Sequence, residues 1–159
     1  MNGTGIKALK EITTSGVDSL LPSIEASRKE ASLRLDPLRR VQMGQFLTPG
    51  PVATFMAGMF DCKRPLVRIL DPGAGTGSLS AALVLAMCQR LQRPTAIALT
   101  AYEIDPLLVG YLRETLDRCR AACEETGISF EGRLGGNAGG HIFICHLTSS
   151  GWFSSVVCP

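Results

Sequence analysis

The residues best suited to chemistry are Asp71-Pro72-Gly73-Ala74-Gly75-Thr76-Gly77 and, further on, Tyr102-Glu103-Ile104-Asp105-Pro106. Glycines at alternate positions let a backbone turn sharply and approach a bound molecule where a side chain would block it. The dinucleotide fingerprint Gly-x-Gly-x-x-Gly requires a last glycine where this chain, counted from Gly73, has Ser78. A phosphate-cradling loop requires Gly-Lys-Ser/Thr, and no lysine follows these glycines. The Asp71 carboxylate would repel a pyrophosphate but suits a ligand carrying an ammonium or sulfonium charge. The pattern points away from NAD and ATP and toward S-adenosylmethionine.

Glu103 supports the same reading. A carboxylate at the end of the second strand can accept both hydroxyls of a ribose, and the Ile104 side chain that follows can lie against an adenine ring. Asp105 is read differently: Asp-Pro is a helix-start signal, so this carboxylate is expected to cap rather than to bind.

These residues need a scaffold. Leu66 to Leu70 is a short aliphatic run bounded by Pro65 and by Asp71-Pro72-Gly73, and reads as a buried strand. Ser78 to Leu91, rich in Ala and Leu, reads as a helix ending before Pro94, and Ala96 to Tyr102 repeats the strand signal. Asp105 then caps a helix with an apolar face of Leu108, Leu112, Leu116, Cys119 and Cys123, closing at Gly127. Ile128-Ser129-Phe130 begins a third strand. Strand, helix, strand, helix, strand is the alternation of an open parallel α/β sheet. Upstream, Pro22 to Leu35 reads as a helix with Pro22 in its first turn, interrupted at Asp36-Pro37. The turn-rich Gly44-Gln45-Phe46-Leu47-Thr48-Pro49-Gly50-Pro51 leads into a short apolar helix containing Val52, Phe55, Met56 and Met59.

On these motifs the chain resembles the class I S-adenosylmethionine-dependent methyltransferases, and among them the adenine-N6 DNA methyltransferases of restriction-modification systems. The matching residues are Gly44 to Pro49, Asp71 to Gly77 and Glu103 to Pro106, in the family's order, and the resemblance covers about residues 28 to 131. It implies the N-terminal part of a Rossmann-like, doubly wound sheet: about three parallel strands with helices, preceded by a helical segment. It also implies that Phe46, Thr48 and Pro49 pack around the methionine end of the cofactor. Asp71, Gly73, Gly75, Gly77, Glu103 and Ile104 complete the implied S-adenosylmethionine site. DNA is the implied partner, its target base flipped into a pocket. The domain reading is a helical segment over 1–43, the cofactor-binding part over 44–131, and a tail of different character over 132–159.

The family's Asn/Asp-Pro-Pro-Tyr/Phe motif, which holds the flipped adenine, has no counterpart. The nine prolines stand at 22, 37, 49, 51, 65, 72, 94, 106 and 159, and none adjoins another. No catalytic residue is therefore assigned, and the chain by itself is expected to be inactive. A second polypeptide supplying the missing half is one expectation; the other is a truncated remnant with weak or no cofactor binding.

Composition sharpens this. Of 30 charged side chains (16 basic and 14 acidic), only Arg133 falls in Gly132 to Pro159, a stretch that also holds both histidines and the single tryptophan. Two kinds of sequence meet near residue 132. Stepped forward by one nucleotide, codons compatible with His146 to Trp152 also encode an ordinary soluble run, so the tail is expected to be out of frame. The net charge of +2 fits neither a polyanion-coating protein nor a disordered one. The basic cluster Arg28, Lys29, Arg34, Arg39 and Arg40 is interleaved with Glu30 and Asp36 and reads as a solvated helix face. The N-terminus lacks a secretory h-region and no run of eighteen apolar residues occurs, so a cytoplasmic protein with no membrane span is expected. The six cysteines form no disulfide framework. Cys119-x3-Cys123 with His141-x3-Cys145 has the look of a metal site, but C-x3-C within a helix reads as two small apolar groups on one face, and no metal is assigned.

Overall fold

The computed structural model describes residues 15–42 and 44–135. Its elements are α1 (Gly16–Arg34), α2 (Pro37–Gln42), α3 (Gly50–Gly58), β1 (Leu66–Pro72), α4 (Ser78–Cys88), β2 (Ala96–Tyr102), α5 (Pro106–Glu125) and β3 (Ser129–Gly135). The strands form one parallel sheet in the order β1-β2-β3. This is the expected partial Rossmann-like arrangement with a helix ahead of it. The register pairs Asp71 with Ala101 and Pro72 with Tyr102, so both strands end side by side.

Ile97 of β2 joins Val84 and Met87 of α4 and Cys119 of α5 in one buried core cluster, and Leu99 and Leu112 are buried as well. The α5 face expected from periodicity is observed: Leu108, Leu112, Leu116, Cys119 and Cys123 are covered, joined by Tyr111, Thr115 and Ala122. Truncating one such leucine to alanine costs about 2–5 kcal/mol, because the cavity left behind relaxes only partly. Cys119 and Cys123 lie in this core, where burial pushes the Cys119 thiol up to about 12. His141 and Cys145 lie outside the described residues, as does most of the stretch from 132 onward, although β3 itself runs on to Gly135.

Three boundaries differ from expectation. Helix α1 starts six residues before Pro22, which is therefore interior. An interior proline removes one helical hydrogen bond. This start is secured instead by Ser15, whose side chain accepts from Val17 N, and by Glu125 at the end of α5, which accepts from Ser15 Oγ at 2.6 Å and Val17 N at 3.1 Å. The sequence neighbourhood of Pro22 could not reveal a cap supplied from 110 residues away. Helix α4 stops at Cys88 rather than Leu91, which is fully exposed. Just beyond it the Arg90 guanidinium donates to the carbonyls of Phe60 and Cys62, tying the turn to the loop before β1. Strand β1 runs two residues beyond Leu70, carrying Asp71 into the sheet.

Helix α3 packs on α4 through its small residues Ala53 and Ala57, while Val52, Phe55, Met56 and Met59 face outward. Its N-terminus is held by Glu25 of α1, whose Oε2 accepts from Gly50 N at 3.0 Å. Arg28 grips the same carboxylate with two nitrogens at 2.8 Å. That hydrogen-bonded guanidinium, with the Gly50 amide, holds the Glu25 carboxyl down from the usual 4.5 to about 2.

Candidate functional site

A cleft of about 400 Å³ opens where β1 and β2 end. That is where open α/β sheets bind ligands, and the size falls within the usual range of roughly 300–1,000 Å³. Three segments wall it: Gly44 to Thr48, Asp71 to Thr76 with Ser78 and Leu79, and Glu103 with Ile104 and Leu108. Of the expected site residues, Phe46, Thr48, Asp71, Gly73, Gly75, Glu103 and Ile104 line it. Pro49 stands just outside as the residue preceding α3, and Gly77 lies behind the wall.

The glycines do different jobs. Gly77 begins α4 at φ +82°, and a Cβ there would sit 2.7 Å from Thr115 Cγ2 and 2.9 Å from Leu112 Cδ1. It lets the loop lie against α5 rather than against a ligand. A Cβ on Gly75 (φ +58°) would meet Leu47 Cδ2 at 3.0 Å, so this glycine lets the Gly44 to Thr48 segment close down on the loop.

The loop is held from three sides. The amides of Gly73 and Ala74 both donate to the Tyr102 carbonyl at 2.8 Å. The Thr115 hydroxyl donates to the Thr76 carbonyl at 2.7 Å. The amide of Gly75 donates to Glu103 Oε2 at 2.8 Å. Glu103 is buried, and its other oxygen accepts from the amides of Ile104 (2.7 Å) and Asp105 (2.8 Å). A carboxylate offers roughly four lone-pair positions. With three filled by backbone, Glu103 keeps one for a ligand in this geometry, not the two that a pair of ribose hydroxyls requires.

Asp71 is fastened by the Ser80 hydroxyl at 2.5 Å. Burial pushes its carboxyl upward, the Ser80 bond opposes that, and the negative charge of Glu103 adds to it. Among the described residues, two carboxylates line the cleft and no Lys, Arg or His does. Such a lining disfavours a phosphate chain and favours a ligand whose charge is positive, the fit expected of a sulfonium or ammonium group. Ile104, 61% exposed, presents an apolar surface at the rim.

Asp105 is the N-cap expected: Oδ1 accepts from Leu107 N at 2.9 Å, and Pro106 follows. Its second oxygen accepts from Gln45 Nε2 at 3.3 Å, joining the Gly44 to Thr48 segment to the β2–α5 turn. Gln45, Ser80 and Thr115 were not anticipated from sequence. A polar residue on an otherwise apolar helix face was the available signal for Thr115, and a hydroxyl in the first turn after the glycines was the signal for Ser80. Gln45 carried none, because its partner is 60 residues away.

No protein-family model matches the chain. Among solved structures, SCL7 of Oryza sativa shows 20% sequence identity and a TM-score of 0.44, covering 76% of this chain and 34% of that one. Among curated proteins, the chain is 32% identical over 126 residues to the Type II methyltransferase M.PstI of Providencia stuartii, covering 79% of this chain and 24% of that protein. It is 35% identical over 100 residues to the Type II methyltransferase M.BsuBI of Bacillus subtilis, covering 61% of this chain and 19% of that protein. The methyltransferase resemblance read from the motifs is thus borne out: over this span the chain is a relative of the Type II methyltransferases, and it spans about a quarter of the length of M.PstI.

Proposed function

We propose that this chain is the cofactor-binding portion of a site-specific adenine-N6 DNA methyltransferase. The observation that carries the reading is a cleft at the strand ends, walled by a glycine loop and two carboxylates and, among the described residues, lined by no cationic side chain, in a relative of Type II methyltransferases. S-adenosylmethionine, when bound, would supply a methyl group on a positively charged sulfur for transfer to the adenine amine of DNA. Asp71 would offset the ligand's positive charge. Glu103 would accept one ribose hydroxyl while keeping Gly75 in place, and Ile104 would lie against the adenine of the cofactor. Phe46, Thr48 and Pro49 would enclose the methionine end. The protein's contribution to such a displacement is positioning and preorganised charge. An Asn/Asp-Pro-Pro-aromatic motif is absent from these 159 residues. We therefore assign the handling of the target base to polypeptide beyond them, in the same chain or in a second one.

A second reading, a non-catalytic relative with weak or no affinity for the cofactor, is favoured by the engagement of both Glu103 oxygens with backbone amides. Calorimetric titration with S-adenosylmethionine separates the two. Saturable binding that Asp71→Ala or Glu103→Ala removes supports the first, and a folded chain giving no heat of binding supports the second.

A further inference from the structure

We propose that Gln45 is a cofactor-contacting residue that accepts a ribose hydroxyl through its side-chain carbonyl, sharing with Glu103 the recognition of the nucleoside. The inference rests on the reading of the cleft as an S-adenosylmethionine site. Three observations carry it. First, the Glu103 carboxylate accepts from the amides of Gly75, Ile104 and Asp105, which leaves one acceptor position for a diol that offers two donors. A second acceptor is needed nearby. Second, Gln45 lines the same cleft, and its Nε2 is anchored at 3.3 Å on Asp105 Oδ2, two residues along from Glu103. With the amide nitrogen on a carboxylate that can only accept, Oε1 is oriented as the free end of the group. Third, Oε1 is covered and has no hydrogen-bond partner.

A covered carbonyl oxygen left without a donor costs about 1–3 kcal/mol, which a ligand hydroxyl recovers when it reaches that oxygen. The only side-chain hydrogen bond found from the Gly44 to Thr48 segment to the β2–α5 turn, among the described residues, is the one from Gln45. Reception of a ribose hydroxyl by Oε1 requires this segment to shift about that anchor and uncover the oxygen toward the cleft. The Arg40 Nε is likewise covered and unpartnered, and the Gln45 backbone N–H donates to the Arg40 carbonyl at 2.9 Å. A pairing of these two side chains in solution is the competing use of the oxygen.

The test is calorimetric titration of the full chain and its Gln45→Leu variant with S-adenosylhomocysteine, its 2′-deoxy and 3′-deoxy congeners, and the congener with a 6-oxo group in place of the adenine amine. Gln45→Leu is expected to weaken the parent and the 6-oxo ligand about tenfold, the loss of one ligand hydrogen bond. One deoxy congener is expected to change less than about twofold, because the hydroxyl that Gln45 would accept is already missing from it. Equal weakening of every ligand would make Gln45 a purely structural latch and overturn the proposal. So would no weakening of any ligand, or an effect lost only with the 6-oxo congener, which would assign the adenine amine instead. Coupling between Arg40→Leu and Gln45→Leu in ligand-free thermal unfolding would likewise overturn it, in favour of the side-chain pair. If the unaltered chain binds none of these ligands, the reading of the cleft falls and this inference with it. If it binds them and the Gln45→Leu pattern is flat, this inference alone falls. Should Gln45→Leu not fold, judged by its melting curve, Gln45→Met replaces it, keeping the length of the side chain without an acceptor.

Discussion

Glu103 Oε2 lies 2.8 Å from the amide nitrogen of Gly75, joining the loop after β1 to the turn after β2. The carboxylate most plainly marked for a ligand is thus also the brace of the loop that would receive it. Glu103→Gln presents an amide NH2 where one carboxylate oxygen accepted from backbone, so at least one buried N–H loses its partner. Bonds to a charged acceptor are worth about 1.5–3 kcal/mol. The variant is expected to lose stability in that range by urea denaturation, and to bind S-adenosylmethionine at least tenfold more weakly by calorimetry.

Gly77 and Gly73 separate packing from backbone strain. Both have positive φ, +82° and +79°, but a Cβ on Gly77 meets Thr115 and Leu112 while one on Gly73 meets nothing within 4 Å. Gly73→Ala is expected to cost about 1–2 kcal/mol, the left-handed conformation alone. Gly77→Ala adds overpacking and is expected to cost about 3 kcal/mol or more. Equal losses in chemical denaturation would show that the α4–α5 contact yields without cost.

Asp71 sets a pH dependence for charged ligands. Its carboxyl titrates above the ordinary 3.8 because it is buried, an effect the Ser80 bond opposes and Glu103 reinforces. The ionised form attracts a sulfonium, so affinity for S-adenosylmethionine is expected to rise with pH through a window that begins at 3.8 and extends above it. The neutral thioether of S-adenosylhomocysteine should lack most of that dependence. Parallel, rising calorimetric profiles for the two ligands would put Asp71 on the ammonium that both carry instead of the sulfonium, and flat profiles for both would remove Asp71 from the charge recognition.

Glu25 sets a pH dependence of stability. Its carboxyl falls from the usual 4.5 to about 2, held by Arg28 and by the Gly50 amide. A depressed carboxylate stabilises the fold fully above its unfolded value, and that contribution is lost as pH falls from 4.5 toward 2. Glu25→Ala is expected to cost about 1 kcal/mol at neutral pH, the usual loss of a helix cap. The gap between variant and unaltered chain should narrow as pH falls from 4.5 and close below pH 2, read as melting temperature across the range.

Much of this was legible in sequence because it is local. The strand from Ala96 to Tyr102 and the α5 face from Leu108 to Cys123 follow from residue type and period, which act over a few residues at a time. The Asp105 cap follows from its neighbour Pro106. What escaped is contact between distant segments: the start of α1 depends on Glu125, the N-terminus of α3 on Glu25, and the position of Gln45 on Asp105.

The sequence by itself determined the parallel α/β class, the glycine loop and the two carboxylates at the strand ends. Spacing and side-chain chemistry suffice for those, because a strand that ends in Asp-Pro-Gly has few ways to continue. Only the tertiary structure decided how each group is occupied. Gly77 serves α5, Glu103 serves the backbone before any ligand, and Gln45 is left with an oxygen to share. The physical reason is that hydrogen bonds are satisfied in three dimensions: which donor reaches which acceptor depends on segments that the chain brings together only when folded.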